Sequence, residues 1–156
     1  MDPIWLEAFA EACTARGYTA DDVILLAKAI EGEGAAFFGD QRDTVGMWIA
    51  HTALNRAAKP WWPSSVGEVV KAAFHGYVNV VEPSEWAIAL ALGSMERSQD
   101  WAEGALFMLS GRDLDALGIS ERAKSAIAYF IGPQGHEFYF FARWPGENDQ
   151  KGEDNG

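Results

Sequence analysis

Residues 19–34 read TADDVILLAKAIEGEG, and this stretch decides the fold because it carries a complete helix signal. Thr19 is a typical N-cap residue, and Asp22, three positions later, is the acidic partner of a capping box. Apolar side chains recur at the i, i+3, i+4, i+7 spacing that buries one helix face: Val23, Leu26, Ala27 and Ile30. Gly32 or Gly34 can terminate the helix. The stretch therefore predicts a helix that packs into the core and ends at one of these glycines.

Two carboxylates, Glu31 and Glu33, lie at the predicted end of this helix. Glu33 follows Ile30 by three residues and Leu26 by seven, so it leans towards the buried stripe. The negative end of the helix dipole and nearby apolar walls disfavour a charged carboxylate, which suits a general acid for a glycosidic oxygen. Periodicity does not choose between the two glutamates, because they flank the stripe on opposite sides. A solvated helix end with two surface glutamates is the alternative interpretation.

The rest of the chain predicts further helices, followed by a small sheet. Helices are predicted at about residues 4–15, 44–58, 84–98 and 120–131, and another begins after Ser65 with Glu68 as its capping partner. The apolar segment 104–110 and the aromatic-rich segment 135–143 are bounded by glycines and predict strands. Helices first and a hairpin-like sheet after them predict an α+β fold that is predominantly helical.

The length and composition of the chain limit its number of domains and the partners it can bind. The 156 residues fit one compact domain, predicted over residues 1–144. Residues 145–156 carry no large apolar side chain and predict a disordered acidic tail. The formal net charge is −11, and residues 1–43 hold nine acids against three bases, so nucleic-acid binding is not expected. No apolar run approaches the ~20 uncharged residues of a membrane-spanning helix, so membrane insertion is not expected either.

Signals for a cofactor or a compartment are sparse. The single cysteine, Cys13, cannot form an internal disulfide, which fits reducing conditions. The acidic start of the chain does not resemble a secretory signal peptide, and the sequence leaves the location open. The three histidines, His51, His75 and His136, lack metal-site spacing. We therefore expect an activity that needs no metal and no other cofactor.

Polar side chains also lie on the helix predicted at 44–58. His51, Thr52 and Asn55 fall along one narrow strip beside Trp48. Buried polar groups need hydrogen-bond partners, so this strip either lines a cleft or forms a polar seam between helices. In the loop that follows, Trp62 either stacks on a sugar ring or fills a gap in the core.

Five motifs follow one another along about residues 22–142. They are residues 25–34 with Glu33 and Gly34, Val45-Gly46 leading to Ala53-Leu54-Asn55-Arg56, Trp62 to Val70 and on to Phe74, Gly104 to Phe107, and Gly135 to Tyr139. In this order and spacing they resemble the SleB-type cell wall hydrolases of spore-cortex lysis and of phages. Each motif is weak alone, and five in succession are fairly specific.

The resemblance implies a lysozyme-like domain that acts on the glycan strands of peptidoglycan. The family's catalytic acid/base, a glutamate at a helix end, matches Glu33. Its asparagine–arginine pair matches Asn55 and Arg56, and its late histidine–aromatic strand matches residues 136–139. We expect five residues to contact the substrate: Asn55, His51, Trp62, Phe74 and Tyr139. The chain departs from the family in Glu31-Gly32 and in an enlarged loop after Gly34, which bears on substrate preference more than on catalysis.

The expected reaction is cleavage between N-acetylmuramic acid and N-acetylglucosamine by a lytic transglycosylase, for which Glu33 alone suffices. A hydrolytic muramidase is the first alternative and requires a second carboxylate, with Asp40 and Asp43 in the following loop, or Glu31, as candidates. A non-catalytic module that binds the cell wall or a protein partner is the other alternative. A phage lysis protein or a virion component would bring such a chain to the wall without its own signal peptide.

Overall fold

A computed structural model of the chain describes residues 8, 11, 13–15, 17–96 and 104–146. Its α-helices are α1 (Ala20–Gly32), α2 (Arg42–Ala57), α3 (Val66–Ala73), α4 (Glu85–Glu96) and α5 (Gly111–Ala116). Three 3₁₀ helices span Ala35–Gln41, Gly76–Asn79 and Ser120–Ser125, and the strands are β1 (Phe107–Ser110), β2 (Ala128–Ile131) and β3 (Glu137–Phe141). About 60% of the structure is helical, which confirms the predicted α+β, predominantly helical class.

Helix α1 lies at the centre of the helical body and contacts α2, α3 and α4. Its predicted capping box is present, because Asp22 N–H donates to Thr19 Oγ1 at 3.1 Å and Thr19 N–H donates to Asp22 Oδ2 at 3.2 Å. The predicted apolar stripe is fully buried: Val23, Leu26, Ala27 and Ile30. Burial of a Leu or Ile side chain contributes about 1.5–3 kcal/mol, so this face holds the helix in place. The end of α1 is therefore fixed by the core.

Helix α2 is also largely buried, as its apolar residues on two sides predict. Val45, Ile49, Ala50 and Ala53 are solvent-inaccessible. Gly46 permits close packing, since a Cβ there would lie 2.7 Å from Leu90 Cδ1 of α4. The helix therefore connects the helical body with the sheet, which packs on its Trp48 side chain.

The sheet has three antiparallel strands in the order β1-β3-β2. Its inner face packs on the helical body: the Phe140 ring lies 5.2 Å from Trp48, and the Phe138 ring lies 5.2 Å from Phe38. The register pairs Tyr139 with Leu109 on one side and with Tyr129 on the other, so these three share the outer face. The central strand β3 thus separates two chemically different surfaces.

The structure corrects the prediction of one helix over residues 120–131. A 3₁₀ helix ends at Ser125, and residues 128–131 form β2 instead. Exposure alternates along this strand, with Tyr129 and Ile131 exposed and Phe130 packed 6.1 Å from Trp48. The helix α5 directly after β1 was not predicted. The aromatic pairing across the sheet outweighs the helical pattern of the preceding residues.

The other long helices lie close to their predicted positions. The helices predicted at 44–58 and 84–98 are confirmed as α2 and α4, although residues 97 and 98 lie outside the described residues. Of the helix predicted at 4–15, residues 8, 11 and 13–15 are described and helical. In the predicted tail, only residues 145 and 146 are described, so the single domain over 1–144 and the disordered tail stay predictions. No helix in the described ranges is long and apolar enough to cross a membrane.

Candidate active-site groove

Glu33 is the C-cap residue of α1. Its backbone N–H donates to Ala29 O at 2.9 Å, and Gly34 then takes the left-handed conformation, with φ 87°, that turns the chain away from the helix axis. The Glu33 side chain is half-buried, and its Oε1 accepts two hydrogen bonds, from the backbone N–H groups of His75 and Gly76, each at 3.3 Å. One oxygen of the carboxylate is therefore held by fixed backbone donors.

Two glycines bring those donors to Glu33. A Cβ on Gly32 would overlap the backbone carbonyl of Gly76, and a Cβ on Gly76 would overlap the carbonyl of Gly32. The end of α1 and the 3₁₀ helix that begins at Gly76 therefore touch backbone to backbone. Only glycine fits at both positions, and the contact fixes the distance from Gly76 N–H to the carboxylate.

The second oxygen of Glu33, Oε2, accepts no hydrogen bond from any residue that the structure describes. No cation among those residues forms an ion pair with Glu33. The carboxylate is thus oriented through one oxygen, and the other is available to a bound molecule.

Glu33 lies where two cavities meet, between the helical body and the β1–α5 region. The larger, which we call the Trp144 cavity, has a volume of about 400 Å³. The smaller, the His136 cavity, has a volume of about 360 Å³. Both are lined by Glu33, Ser110 and Phe138. We call the two cavities together the groove, and Glu33 stands near its middle.

Aromatic rings form much of both walls. In the His136 cavity, Phe37 stacks on His136 with 5.0 Å between ring centroids. In the Trp144 cavity, Phe107 lies 5.5 Å from Trp144, and Phe74 adds a third ring. Flat apolar walls with a few polar groups between them are typical of ligand sites.

Arg56 supplies a cation to the Trp144 cavity. Its Nε donates to Leu106 O at 2.5 Å, and its guanidinium carbon lies 5.0 Å from the Trp62 ring centroid and 5.1 Å from that of Phe107. Burial lowers the pKa of Arg56 below its usual value. The two rings and the carbonyl hold the guanidinium in the wall of the cavity.

Glu31, the other carboxylate at the end of α1, faces a different part of the molecule. Its Oε1 accepts the backbone N–H of Ser84 at 2.5 Å, just before α4. Ser84 in turn caps α4, because its Oγ accepts the N–H of Ala87 at 3.1 Å. Glu31 lines neither half of the groove, so the groove contains Glu33 and not Glu31.

The candidates for a second carboxylate in the following loop are not beside Glu33. The segment predicted as a loop is a 3₁₀ helix, which leaves Asp40 exposed and places Asp43 in the first turn of α2. Asp43 Oδ1 accepts the indole N–H of Trp86 at 2.6 Å. Neither aspartate lines the groove, and this corrects the expectation that one of them would assist Glu33.

The polar strip of α2 also lies away from Glu33. His51 and Asn55 line a separate cavity of about 430 Å³, together with Tyr18 and Asp22. Asn55 Nδ2 donates to Ala105 O at 3.0 Å, which joins α2 to the segment before β1. The expectation that His51 and Asn55 share a cleft with Glu33 is therefore wrong, because their side of α2 faces the N-terminal end of α1.

Of the other three residues expected to contact the substrate, two lie at the groove and one does not. Phe74 lines the Trp144 cavity, and Trp62 supports its wall, with its ring 5.8 Å from Phe107. Tyr139 instead lies on the outer face of the sheet, stacked 6.0 Å from Tyr129. Burial and then the nearby charge of Glu137, to which its hydroxyl is hydrogen-bonded, raise the pKa of Tyr139. Phe138 points towards the helical body and lines the groove, whereas Tyr139 points to the opposite face of β3 and packs beside Tyr129.

Sequence reasoning missed two acidic residues of the groove. Glu137 lines the His136 cavity, with its carboxylate against Gly111. Asp113 lines the Trp144 cavity, but it forms a capping box with Ser110, whose N–H it accepts at 2.9 Å. Glu137 could have been found from the sequence, because it begins the late aromatic strand directly after His136.

The described part of the chain contains no group of three or more His, Cys, Asp or Glu side chains that could hold a metal ion. Comparison with protein-family models, with curated proteins and with solved structures finds no significant match for this chain. The geometry of the groove and the motifs of the sequence therefore carry the functional proposal.

Proposed function

We propose that this protein cleaves the glycan strands of peptidoglycan between N-acetylmuramic acid and N-acetylglucosamine, as a lytic transglycosylase with Glu33 as general acid and base. The position of Glu33 between two cavities carries the proposal. An enzyme that cuts within a polymer needs room for a sugar on each side of the acid, and the groove provides it. The helix-end glutamate opposite a small sheet also supports the lysozyme-like architecture that the sequence motifs imply.

The chemistry follows from the two oxygens of Glu33. Oε2 donates its proton to the glycosidic oxygen as the bond from that oxygen to the anomeric carbon of the muramic acid breaks. The N–H groups of His75 and Gly76 hold Oε1 and stabilise the negative charge that remains on the carboxylate. Glu33 then accepts the proton of the muramic 6-hydroxyl as its oxygen bonds to the anomeric carbon. The product is a 1,6-anhydro sugar, and Glu33 regains its proton.

The surroundings of Glu33 favour an enzyme over a non-catalytic binding module. In a module, the carboxylate would be neutralised by a cation or freely solvated. Glu33 is half-buried, lies between aromatic walls, and has no ion-pair partner among the described residues. Fold similarity alone would not separate the two possibilities, and this environment supports the enzyme.

A muramidase is the second candidate, and Glu137 is the observation that favours it. Glu33 and Glu137 line the same His136 cavity. Hydrolysis requires a second carboxylate about 5–5.5 Å from the acid in a retaining enzyme, or about 6.5–9.5 Å in an inverting one. On this route Glu137 takes the part that the sequence suggested for Asp40 or Asp43.

Digestion of purified peptidoglycan in water labelled with heavy oxygen tests the proposal, with the sugar ends identified by mass spectrometry. We expect unlabelled 1,6-anhydromuramic ends from the wild-type protein, and formation of these ends about 10²–10⁴-fold more slowly by Glu33→Gln. Labelled reducing ends that disappear in Glu137→Gln would identify a muramidase instead. If the wild-type protein generates no new sugar ends, the chain does not cleave glycan strands and the proposal is wrong. A chain with this activity would suit a phage lysis protein or a virion component.

A further inference from the structure

A continuous series of aromatic rings leads out of the Trp144 cavity to the protein surface. Phe107 and Trp144 line the cavity, and the Trp62 ring lies 5.8 Å from Phe107. Trp61 follows, with its ring centroid 5.7 Å from that of Trp62. The groove wall is therefore extended by two tryptophans beyond the residues that enclose the cavity.

Trp61 is the exposed end of this series. Its relative solvent exposure is 66%, whereas Trp62 is half-buried between Phe107 and the guanidinium of Arg56. An exposed indole gains little for folding, because its apolar surface stays in water. The Lys59 ammonium lies over the Trp61 ring, 5.8 Å from its centroid, and offers hydrogen-bond donors there. The surface thus combines a flat apolar face with adjacent donors.

We propose that Trp61 and Lys59 form an outer sugar subsite of the groove, occupied by a further unit of the same glycan strand. This inference rests on the proposed function. One face of a pyranose ring presents C–H groups, which pack on an aromatic face, while its hydroxyl and N-acetyl groups accept hydrogen bonds at the rim. A strand that fills the Trp144 cavity continues along Trp62 to Trp61, because the rings are in unbroken contact. The occupant is therefore an extended glycan and not an unrelated partner.

A second exposed aromatic residue provides a matched control. Tyr129 has a relative exposure of 63%, close to that of Trp61, but it lies on the outer face of the sheet and lines neither cavity. Truncation of either ring removes an exposed aromatic side chain of similar accessibility. Only the loss of Trp61 should affect a strand bound in the groove.

The experiment measures binding to insoluble peptidoglycan sacculi by co-sedimentation, in a Glu33→Gln background that prevents cleavage. We expect Trp61→Ala to bind about threefold to tenfold more weakly, as for the loss of one aromatic contact, with Tyr129→Ala unchanged. Trp61→Phe should restore part of the binding. In proteins that retain Glu33, Trp61→Ala should raise KM on long strands and leave kcat and the turnover of a disaccharide-repeat tetramer unchanged.

The outcomes separate the subsite from the proposed function. Equal binding by Trp61→Ala and Tyr129→Ala, with normal cleavage by the wild-type protein, overturns the subsite alone. An equal loss on long strands and on the tetramer also overturns it, because the ring would then act within the groove or on the fold. A wild-type protein that neither binds nor cleaves sacculi overturns the proposed function and the subsite together. Thermal unfolding midpoints confirm that each variant is folded.

Discussion

Glu31 and Glu33 are two residues apart at the end of one helix, yet they belong to two different regions of the molecule. Each carboxylate accepts backbone N–H groups from a later segment: Glu31 from Ser84, and Glu33 from His75 and Gly76. The Glu31 contact joins α1 to the start of α4, whereas Glu33 lies in the wall of the groove. The segment packed against a helix end therefore decides which of its carboxylates can meet a ligand.

The largest expected difference between the two regions is in catalysis. Glu33→Gln keeps the shape of the side chain and an oxygen for the backbone donors, but it cannot donate a proton. We expect glycan cleavage to fall by about 10²–10⁴-fold, in keeping with the loss of a general acid. Release of sugar ends from purified peptidoglycan measures the rate, and the thermal unfolding midpoint should stay nearly unchanged.

Glu31→Gln is the control for that measurement, because it makes the same chemical change two residues away. Its rate should match that of the wild-type protein. If Glu31→Gln loses activity and Glu33→Gln retains it, the assignment of the two glutamates is reversed.

The backbone contact that supports Glu33 gives the next largest effect. In Gly76→Ala the new methyl group would overlap the carbonyl of Gly32, so the two segments must separate. We expect the free energy of unfolding to fall by about 3 kcal/mol, and cleavage to fall as well because Gly76 N–H moves away from Glu33. Thermal or urea unfolding, together with the cleavage rate per folded molecule, measures both effects.

Gly93→Ala is the matched substitution for Gly76→Ala. Gly93 lies in α4, and a Cβ there would meet no neighbouring atom within 4 Å among the residues that the structure describes. We expect this variant to be about 0.5–1 kcal/mol more stable, because alanine is the better helix former. Equal destabilisation by both substitutions would contradict a specific role for the Gly32–Gly76 contact.

The sequence predicted the helical body well because local signals there agree with tertiary packing. The capping pair of Thr19 and Asp22, the apolar stripe of α1 and the buried α2 are all present in the structure. The segment 120–131 was mispredicted because its strand forms only by pairing with β3. Such pairing between distant residues leaves little mark on local periodicity.

The site was predictable only in part. Helix spacing placed two carboxylates at the end of α1, but the choice of Glu33 came from the family resemblance and agrees with its position in the groove. The role of Gly76 depends on a contact between segments more than 40 residues apart, which spacing cannot supply. His51 and Asn55 were expected at the substrate because they fall along one polar strip beside Trp48, and Asn55 also matches a family motif. They project instead from the side of α2 that lines a different cavity.

Asn55→Ala tests whether Asn55 stabilises the fold or contacts the substrate. Asn55 Nδ2 donates to the carbonyl of Ala105, a residue with no solvent exposure. Its loss leaves a buried acceptor unsatisfied, so we expect unfolding free energy to fall by about 2 kcal/mol. The cleavage rate per folded molecule should stay within about twofold of wild type. A residue that only stabilises the fold makes no contact with the transition state of the cleavage reaction. A large fall in kcat with normal stability would instead return Asn55 to the substrate site.

The smallest effect concerns the stability contribution of Glu31. Glu31→Gln retains an acceptor for Ser84 N–H but replaces a charged oxygen by a neutral one, and charge-assisted hydrogen bonds are the stronger kind. We expect the free energy of unfolding to fall by about 1 kcal/mol, measured by urea denaturation at pH 7. The carboxylate also lies near the N-terminal end of α4, where negative charge is favourable, so added salt should reduce the difference between variant and wild type. Glu33 accepts its two hydrogen bonds at 3.3 Å, against 2.5 Å for the bond to Glu31, so we expect a smaller salt-dependent loss of stability in Glu33→Gln. If the two variants lose equal stability with equal salt dependence, the contacts of Glu31 and Glu33 contribute equally to the fold, and only catalysis distinguishes the two residues.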